Sequence, residues 1–123
     1  MKVVAFNGSP RPKGNTHDLL KIVLESCEKE GMETELVQVG GKLIKGCGAC
    51  GICGQRKNNR CSVENDDVNL YIEKMIEADA IIIGSPTYFA NLNAETKALI
   101  DRCGYVARAN GQIFKRKVGA AVT

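Results

Sequence analysis

Cys47, Cys50, Cys53 and Cys61 stand in a C-x2-C-x2-C-x7-C pattern within the glycine-rich run GCGACGICGQRKNNRC. Three cysteines at successive spacings of three can wrap one compact centre, because each C-x2-C turn aims both sulfurs inward. Iron–sulfur clusters take four thiolates, and bacterial cluster motifs open with the same triplet, although their fourth cysteine precedes a proline and serves a second cluster. No proline follows Cys61, and the QRKNNR segment is long enough to fold back as a loop and deliver its thiol to the same centre. Gly46, Gly48, Gly51 and Gly54 relieve crowding and leave backbone N–H groups for cluster sulfurs. Zinc is the alternative occupant, but zinc sites usually combine two separated C-x2-C pairs. Unmetallated or disulfide-forming thiols are the third possibility. Cys27 and Cys103 fall on apolar helical stripes and are expected in the core.

A second group of residues suits an anion. In VVAFNGSPRPKGNTHD (Val3–Asp18) an apolar run breaks at Asn7–Gly8, a polar loop with two prolines follows, and a helical pattern starts at Asn15–Thr16. Asn15 or Thr16 is placed to cap that helix. The free N–H groups and positive dipole end of a helix start form a ready anion site. Ser9, Asn15 and Thr16 add side-chain donors, Arg11 and Lys13 add charge, and Gly14 permits close approach. Neither G-x-G-x-x-G nor G-x-x-x-x-G-K-[ST] is present, so a terminal phosphate monoester, such as that of FMN, fits better than a pyrophosphate. The competing account is an ordinary strand-to-helix turn with a good cap. His17, the only histidine, is expected to be a solvated helix-start residue, and no histidine acid–base chemistry is assigned.

The chain that must position these groups has 123 residues, enough for one domain with a sizeable core. A composition of 44% hydrophobic and 25% charged residues is that of a globular protein, and a net charge of +3 gives no argument for nucleic acid. No apolar run approaches the roughly 18 residues of a membrane span, and MKVVAFNG is too short for a signal peptide. A cytoplasmic location is therefore expected, in which six cysteines point to metal or redox use.

Thr16–Glu30 reads as an amphipathic helix with Leu19, Leu20, Val23, Leu24 and Cys27 on one face, stopped by Gly31. Glu33–Val39 is a strand of mixed polarity and so an edge. Asp66 or Asp67 caps a helix carrying Val68, Tyr71, Ile72, Met75 and Ile76 on its core face. The apolar run Ala80–Ile83 is a central parallel strand, and SPTYFANLN follows as a loop. Asn93 caps a last helix with Leu99, Cys103 and Val106 inward, and Lys117–Val122 begins a fourth strand. Strand–helix alternation with right-handed crossovers predicts a three-layer α/β fold with the flavodoxin-like strand order 2-1-3-4-5. All C-terminal strand ends then share one rim, which brings the Ser9 loop, the cysteine insert and the Ser85 loop together. Tyr88 and Phe89 there suit a planar heteroaromatic ring, or burial against the next helix or a neighbouring subunit.

GSPRPKGNT, the cysteine quartet and ADAIIIGSPTYFANLNAETKALIDR together resemble the iron–sulfur flavoprotein family, within the NADPH-dependent FMN reductase-like flavodoxin folds. The resemblance covers nearly the whole chain. It implies bound FMN, a [4Fe–4S] cluster, a homodimer or dimer of dimers, and electron transfer between a ferredoxin and an acceptor. By matching positions, Ser9, Arg11, Asn15 and Thr16 hold the FMN phosphate, and Pro86, Thr87, Tyr88, Phe89 and Asn91 line the isoalloxazine. Cys47, Cys50, Cys53 and Cys61 bind the cluster. Family members continue into a fifth strand and a last helix. Residues 1–123 thus read as one C-terminally incomplete FMN-binding domain, with strand order 2-1-3-4, the fifth strand missing, and a cysteine-rich insert at about residues 42–65. The VGAAVT segment would then expose an apolar edge. The expected function is a redox flavoprotein passing electrons from an acidic, ferredoxin-like carrier through the cluster and FMN, with no nucleic-acid or membrane partner. Lys42, Lys45, Arg56, Lys57 and Arg60, with no acidic residue between Gly40 and Val63, would form a basic collar that steers such a carrier. The rivals are an NAD(P)H-dependent FMN or quinone reductase with structural cysteines, and a zinc-stabilised module that is not an enzyme.

Overall fold

The computed structural model describes residues Met1 to Thr123. Strand β1 (Lys2–Asn7) sends Val3 and Ala5 to one face of the sheet and Val4 and Phe6 to the other, and all four are buried. Burial on both faces is the condition of a central parallel strand. Helix α1 (Asn15–Lys29), strand β2 (Glu33–Gln38), helix α2 (Ile52–Arg56) and helix α3 (Val68–Glu77) follow. Strand β3 (Ala80–Gly84), the short strands β4 (Thr87–Tyr88) and β5 (Asn91–Leu92), helix α4 (Ala94–Ala109) and strand β6 (Val118–Val122) complete the chain.

The main sheet is parallel throughout with the order β2-β1-β3-β6, in register Val4 opposite Glu35 and Ile81, and Ile81 opposite Gly119. That is the predicted order, with β2 at the edge. The last strand is sixth in the chain because the segment expected to be a plain loop pairs with itself, Thr87 with Leu92 and Tyr88 with Asn91. Its turn residues Phe89 and Ala90 have φ of 43° and 62°, the left-handed geometry of a tight two-residue hairpin.

Two cores flank the sheet. Val3, Ala5, Ala80 and Ile82 pack against Leu20 and Leu24 of α1, with Val23 and Cys27 partly buried beside them. Leu19 lies outside this stripe and is 41% exposed. On the other face Val4, Phe6, Val37 and Val39 meet Val68, Tyr71, Ile72 and Met75 of α3 and Leu99, Cys103 and Val106 of α4. Phe6 and Tyr71 meet edge to face, with centroids 5.8 Å apart and an interplanar angle of 70°, an arrangement worth about 0.5–1.5 kcal/mol beyond area burial. Ile76, expected on the core face, is only partly buried.

Two expected caps are different in detail. Gly14, in an extended conformation, occupies the N-cap of α1, and Gly14 O accepts the first helical bond from Asp18 N at 3.1 Å. Asn15 and Thr16 are inside the helix, so their side chains are not spent on capping. At α3 the N-cap position is Asp67, but Asp66 Oδ1 accepts from Val68 N at 3.2 Å. Asp67 instead pairs with Lys42 at 2.8 Å.

Strand β6 pairs only with β3, and Val118 to Ala121 are exposed, so the apolar edge foreseen for VGAAVT is present. No helix is long and apolar enough to cross a membrane.

Candidate functional site

The loop after β1 is locked from below. Gly8 N donates to Gly84 O at 2.7 Å, joining the β1 and β3 loops. A Cβ on Gly8 would lie 1.9 Å from Thr96 Oγ1, and one on Gly40 would lie 2.2 Å from Gly8 O, so both positions require glycine. Asn93, expected only as a helix cap, sits at the N-cap of α4 and uses its amide as a bridge. Its Nδ2 donates to Gly8 O at 2.6 Å, and its Oδ1 accepts from Ser85 Oγ at 3.1 Å and Thr96 Oγ1 at 2.5 Å. Asn93 is 1% exposed, so its polar atoms depend on these partners.

Above this floor Ser9, Arg11, Gly14, Asn15, Thr16, Pro86 and Tyr88 line one cavity of about 210 Å³. Six of the nine residues assigned to flavin from the sequence therefore converge. The other three do not reach its lining. Thr87 Oγ1 is 3.1 Å from Thr123 Oγ1, Asn91 accepts from Leu92 N at 2.8 Å, and Phe89 projects fully into solvent. Alternation along β4 turns Thr87 away from the side that Pro86 and Tyr88 present, and Phe89 lies in the turn. The cavity is donor-rich. The N–H groups of Asn15, Thr16 and His17 precede the first helical bond, and the Ser9 hydroxyl accepts from Arg11 N at 3.2 Å with its own proton still to donate. Thr16 Cγ2 faces the place a Gly84 side chain would fill, so its methyl is the buried end. His17 meets only its neighbour, Nδ1 being 3.0 Å from Asp18 Oδ1.

The four cysteines of the quartet line a second cavity, of about 160 Å³, with Gly46, Ser62, Arg102 and Tyr105 among its walls. No three Cys, His, Asp or Glu side chains of the chain converge as a single metal ion requires. The four thiols share the lining of this one cavity. The segment between Cys53 and Cys61 is only partly a loop, since α2 carries the chain through Arg56. Its entry residue Gly51 and exit residue Lys57 have φ of 71° and 46°, the left-handed values that let the chain reverse around a centre. Cys50 Sγ lies 3.3 Å from Ser62 Oγ, and that hydroxyl, then the Ile52 N–H, holds the thiol below its ordinary value.

Three residues that tie this insert to the domain were not singled out from the sequence. Asn69 is buried and brackets Cys61, with Oδ1 accepting from Cys61 N at 2.7 Å and Nδ2 donating to Cys61 O at 3.0 Å. Asn110 accepts from Asn59 N at 3.1 Å. Arg102 is buried on α4 and forms an ion pair with Asp66, their side chains 0% and 4% exposed. Burial works against both charges, but the pair overrides it. Arg102, with the N–H groups of Val68 and Lys45, holds the Asp66 carboxyl below the usual range, and Asp66 and Cys61 keep the guanidinium charged. The sequence signal for Arg102 was a charged residue on a stripe that otherwise reads Leu99, Cys103, Val106.

The basic collar is only partly free. Lys42 pairs with Asp67 and Arg60 with Glu73, whereas Lys45, Arg56 and Lys57 have no ion-pair partner.

With both cavities and the strand order in view, the family model described as NADPH-dependent FMN reductase matches residues 1–123. The chain belongs to the NADPH-dependent FMN reductase family. Within that family it is 41% identical over 122 residues to an iron-sulfur flavoprotein of Methanocaldococcus jannaschii, covering 99% of this chain and 61% of that one. It is 41% identical over 123 residues to an iron-sulfur flavoprotein of Archaeoglobus fulgidus, covering 100% and 59%. Against the iron-sulfur flavoprotein of Methanosarcina thermophila it is 37% identical, covering 100% and 62%. The chain thus spans about three-fifths of the length of these curated relatives. A solved flavone reductase superposes with a TM-score of 0.71 at 20% identity over 98% of this chain and 42% of that one, which shows the shared fold. The family's fold is the one derived above from the sheet order and the two helical layers.

Proposed function

We propose that this domain is a redox flavoprotein that binds FMN at the Ser9–Thr16 crevice and a [4Fe–4S] cluster on Cys47, Cys50, Cys53 and Cys61. The observation that carries this is the convergence of the four spaced cysteines on one cavity, in a domain whose other rim cavity is built from helix-start N–H groups, Ser9, Arg11 and Thr16. The spacing favours a cluster over zinc, because a C-x2-C-x2-C triplet opens cluster motifs whereas zinc sites usually combine two separated C-x2-C pairs. The cluster supplies one-electron exchange and FMN one- or two-electron exchange, so the cofactors carry the chemistry and the protein binds and tunes them.

Each residue then has a separate task. The N–H groups of Asn15 and Thr16, the Ser9 and Thr16 hydroxyls and the Arg11 charge bind the phosphate, where α1's dipole favours an anion. Pro86 and Tyr88 form the opposite wall, against which a flat ring system rests. Asn93 keeps the two loops at fixed separation through Gly8 O and Ser85 Oγ. Thr16→Val preserves shape and removes one donor to a charged group, worth about 1.5–3 kcal/mol. FMN affinity should fall roughly ten- to hundredfold on titration of the variant, and an unchanged affinity would take Thr16 out of the site.

An acidic, ferredoxin-like carrier at the cysteine rim, and a homodimer or dimer of dimers, belong to the same proposal. Because Lys42 and Arg60 are already paired, Lys45, Arg56 and Lys57 are the charges left to steer the carrier. Arg56→Glu/Lys57→Glu should slow reduction by an acidic ferredoxin about tenfold at low salt, with reduction by a small uncharged reductant unchanged. A rate indifferent to both substitutions and to salt would make these residues plain surface. Oxidation of NADPH by the isolated protein without iron would favour the rival flavin or quinone reductase.

A further inference from the structure

Arg102 is the only charged residue of the chain that is fully buried. It projects from α4, between Leu99 and Val106, at a place where an apolar side chain would pack without desolvating a charge. Its guanidinium reaches the cysteine insert at both ends. Nη1 donates to Lys45 O at 3.1 Å, just before Cys47, and Nη2 donates to Val63 O at 3.1 Å, just after Cys61. Nη1 also pairs with Asp66, and Nε donates to Cys61 Sγ at 3.3 Å. Buried ion pairs are often no more stabilising than apolar residues of the same volume, so stability alone is a weak reason for an arginine here.

We propose that Arg102 is the positioning residue of the cysteine centre: it fixes Cys61 as the fourth ligand and raises the reduction potential of the cluster held there. This rests on the cluster placement proposed above. Cys61 is the ligand furthest along the chain from the triplet, and it enters from a segment without regular structure between Lys57 and Asp67. A guanidinium that bonds the backbone on both sides of the insert fixes where that segment can lie. Its Nε–H, directed at a ligand sulfur, stabilises the added negative charge of the reduced cluster, as donors near ligands do in metal sites generally. Lysine cannot substitute, because one ammonium does not span the four acceptors that the planar fork reaches.

The test compares the full chain with Arg102→Lys and with the uncharged double variant Arg102→Gln/Asp66→Asn, each reconstituted anaerobically with FMN, iron and sulfide. Iron content, FMN affinity and the midpoint potential of the cluster absorbance are read together. In the double variant the potential should fall by at least 59 mV, a tenfold change in a one-electron equilibrium. Arg102→Lys should shift it in the same direction, because its ammonium goes to Asp66 and leaves Cys61 without a donor. Loss of iron from either variant with FMN affinity retained supports the same role. Full iron at the wild-type potential in both variants overturns it, and Arg102→Lys decides alone if the double variant does not fold. A wild-type chain that takes up no iron would sink the cluster placement instead. The anchoring is then read on the metal-free protein, where trypsin should cut after Arg56, Lys57 and Arg60 several times faster in Arg102→Lys, and equal rates would overturn it.

Discussion

Cys61→Ala should abolish iron binding, and Cys47→Ala, Cys50→Ala and Cys53→Ala should do the same, whereas Cys27→Ala and Cys103→Ala should leave it intact. Iron and acid-labile sulfide after anaerobic reconstitution measure this directly. The division follows from position. The first four sulfurs line one cavity, and Cys61 is held there by both amide ends of Asn69 and by Arg102. Cys27 packs against the core on the α1 side of the sheet, away from the insert. Cys103 lies on α4 and is 3% exposed, within the core on the other side of the sheet from Cys27, and it does not line the quartet's cavity. Cys103 is a core residue and Cys27 is half-buried beside the core, so Cys103→Ala should lose about 1–3 kcal/mol of stability and Cys27→Ala less, both keeping iron. Iron lost in Cys103→Ala and kept in Cys61→Ala would mean that the fourth ligand is Cys103.

Gly8→Ala should abolish tight FMN binding and lower stability by about 3 kcal/mol, the upper range for overpacking a rigid site. The added Cβ would meet Thr96 Oγ1 at 1.9 Å and the backbone oxygen of Gly84 at 2.7 Å. Neither can move freely, since Thr96 Oγ1 is bonded to Asn93 and Gly84 is paired within the sheet. The loop must then lift, breaking the Gly8 N to Gly84 O bond and displacing Ser9 and Arg11 from the cavity. Gly104→Ala is the contrast, because it lies within α4 with nothing within 4 Å of its added Cβ. It should stabilise by up to about 1 kcal/mol. Thermal unfolding and FMN titration of the two variants read both effects, and a Gly8→Ala protein with wild-type affinity would contradict this account of the floor.

The main sheet was legible because the apolar runs Val3–Phe6 and Ala80–Ile83 and the mixed run from Glu33 differ in the way central and edge strands must. The quartet and the Ser9–Thr16 loop were legible because their chemistry is local in sequence. What was not legible depends on contacts between distant residues. Asn93 reads as a cap, and only the fold brings Gly8 O to its amide. Arg102 reads as an exception on an apolar stripe, and nothing local says that Asp66 and Cys61 will lie beside it. Asn15 and Thr16 look like caps by composition, but Gly14, free of a side chain, takes that position and leaves them to the cavity. Thr87, Phe89 and Asn91, given to the flavin by the family resemblance, lie outside the cavity's lining, and the hairpin that carries them rests on pairing that reads in the sequence as a plain loop.

The central claim, one FMN and one four-iron cluster in the same domain, is tested most directly by the composition and visible spectrum of anaerobically purified protein. The account predicts FMN near one per chain, iron and sulfide near about four each, and flavin bands over a broad shoulder that bleaches on reduction. Zinc in place of iron, or a chain with iron that takes up no FMN, would contradict it.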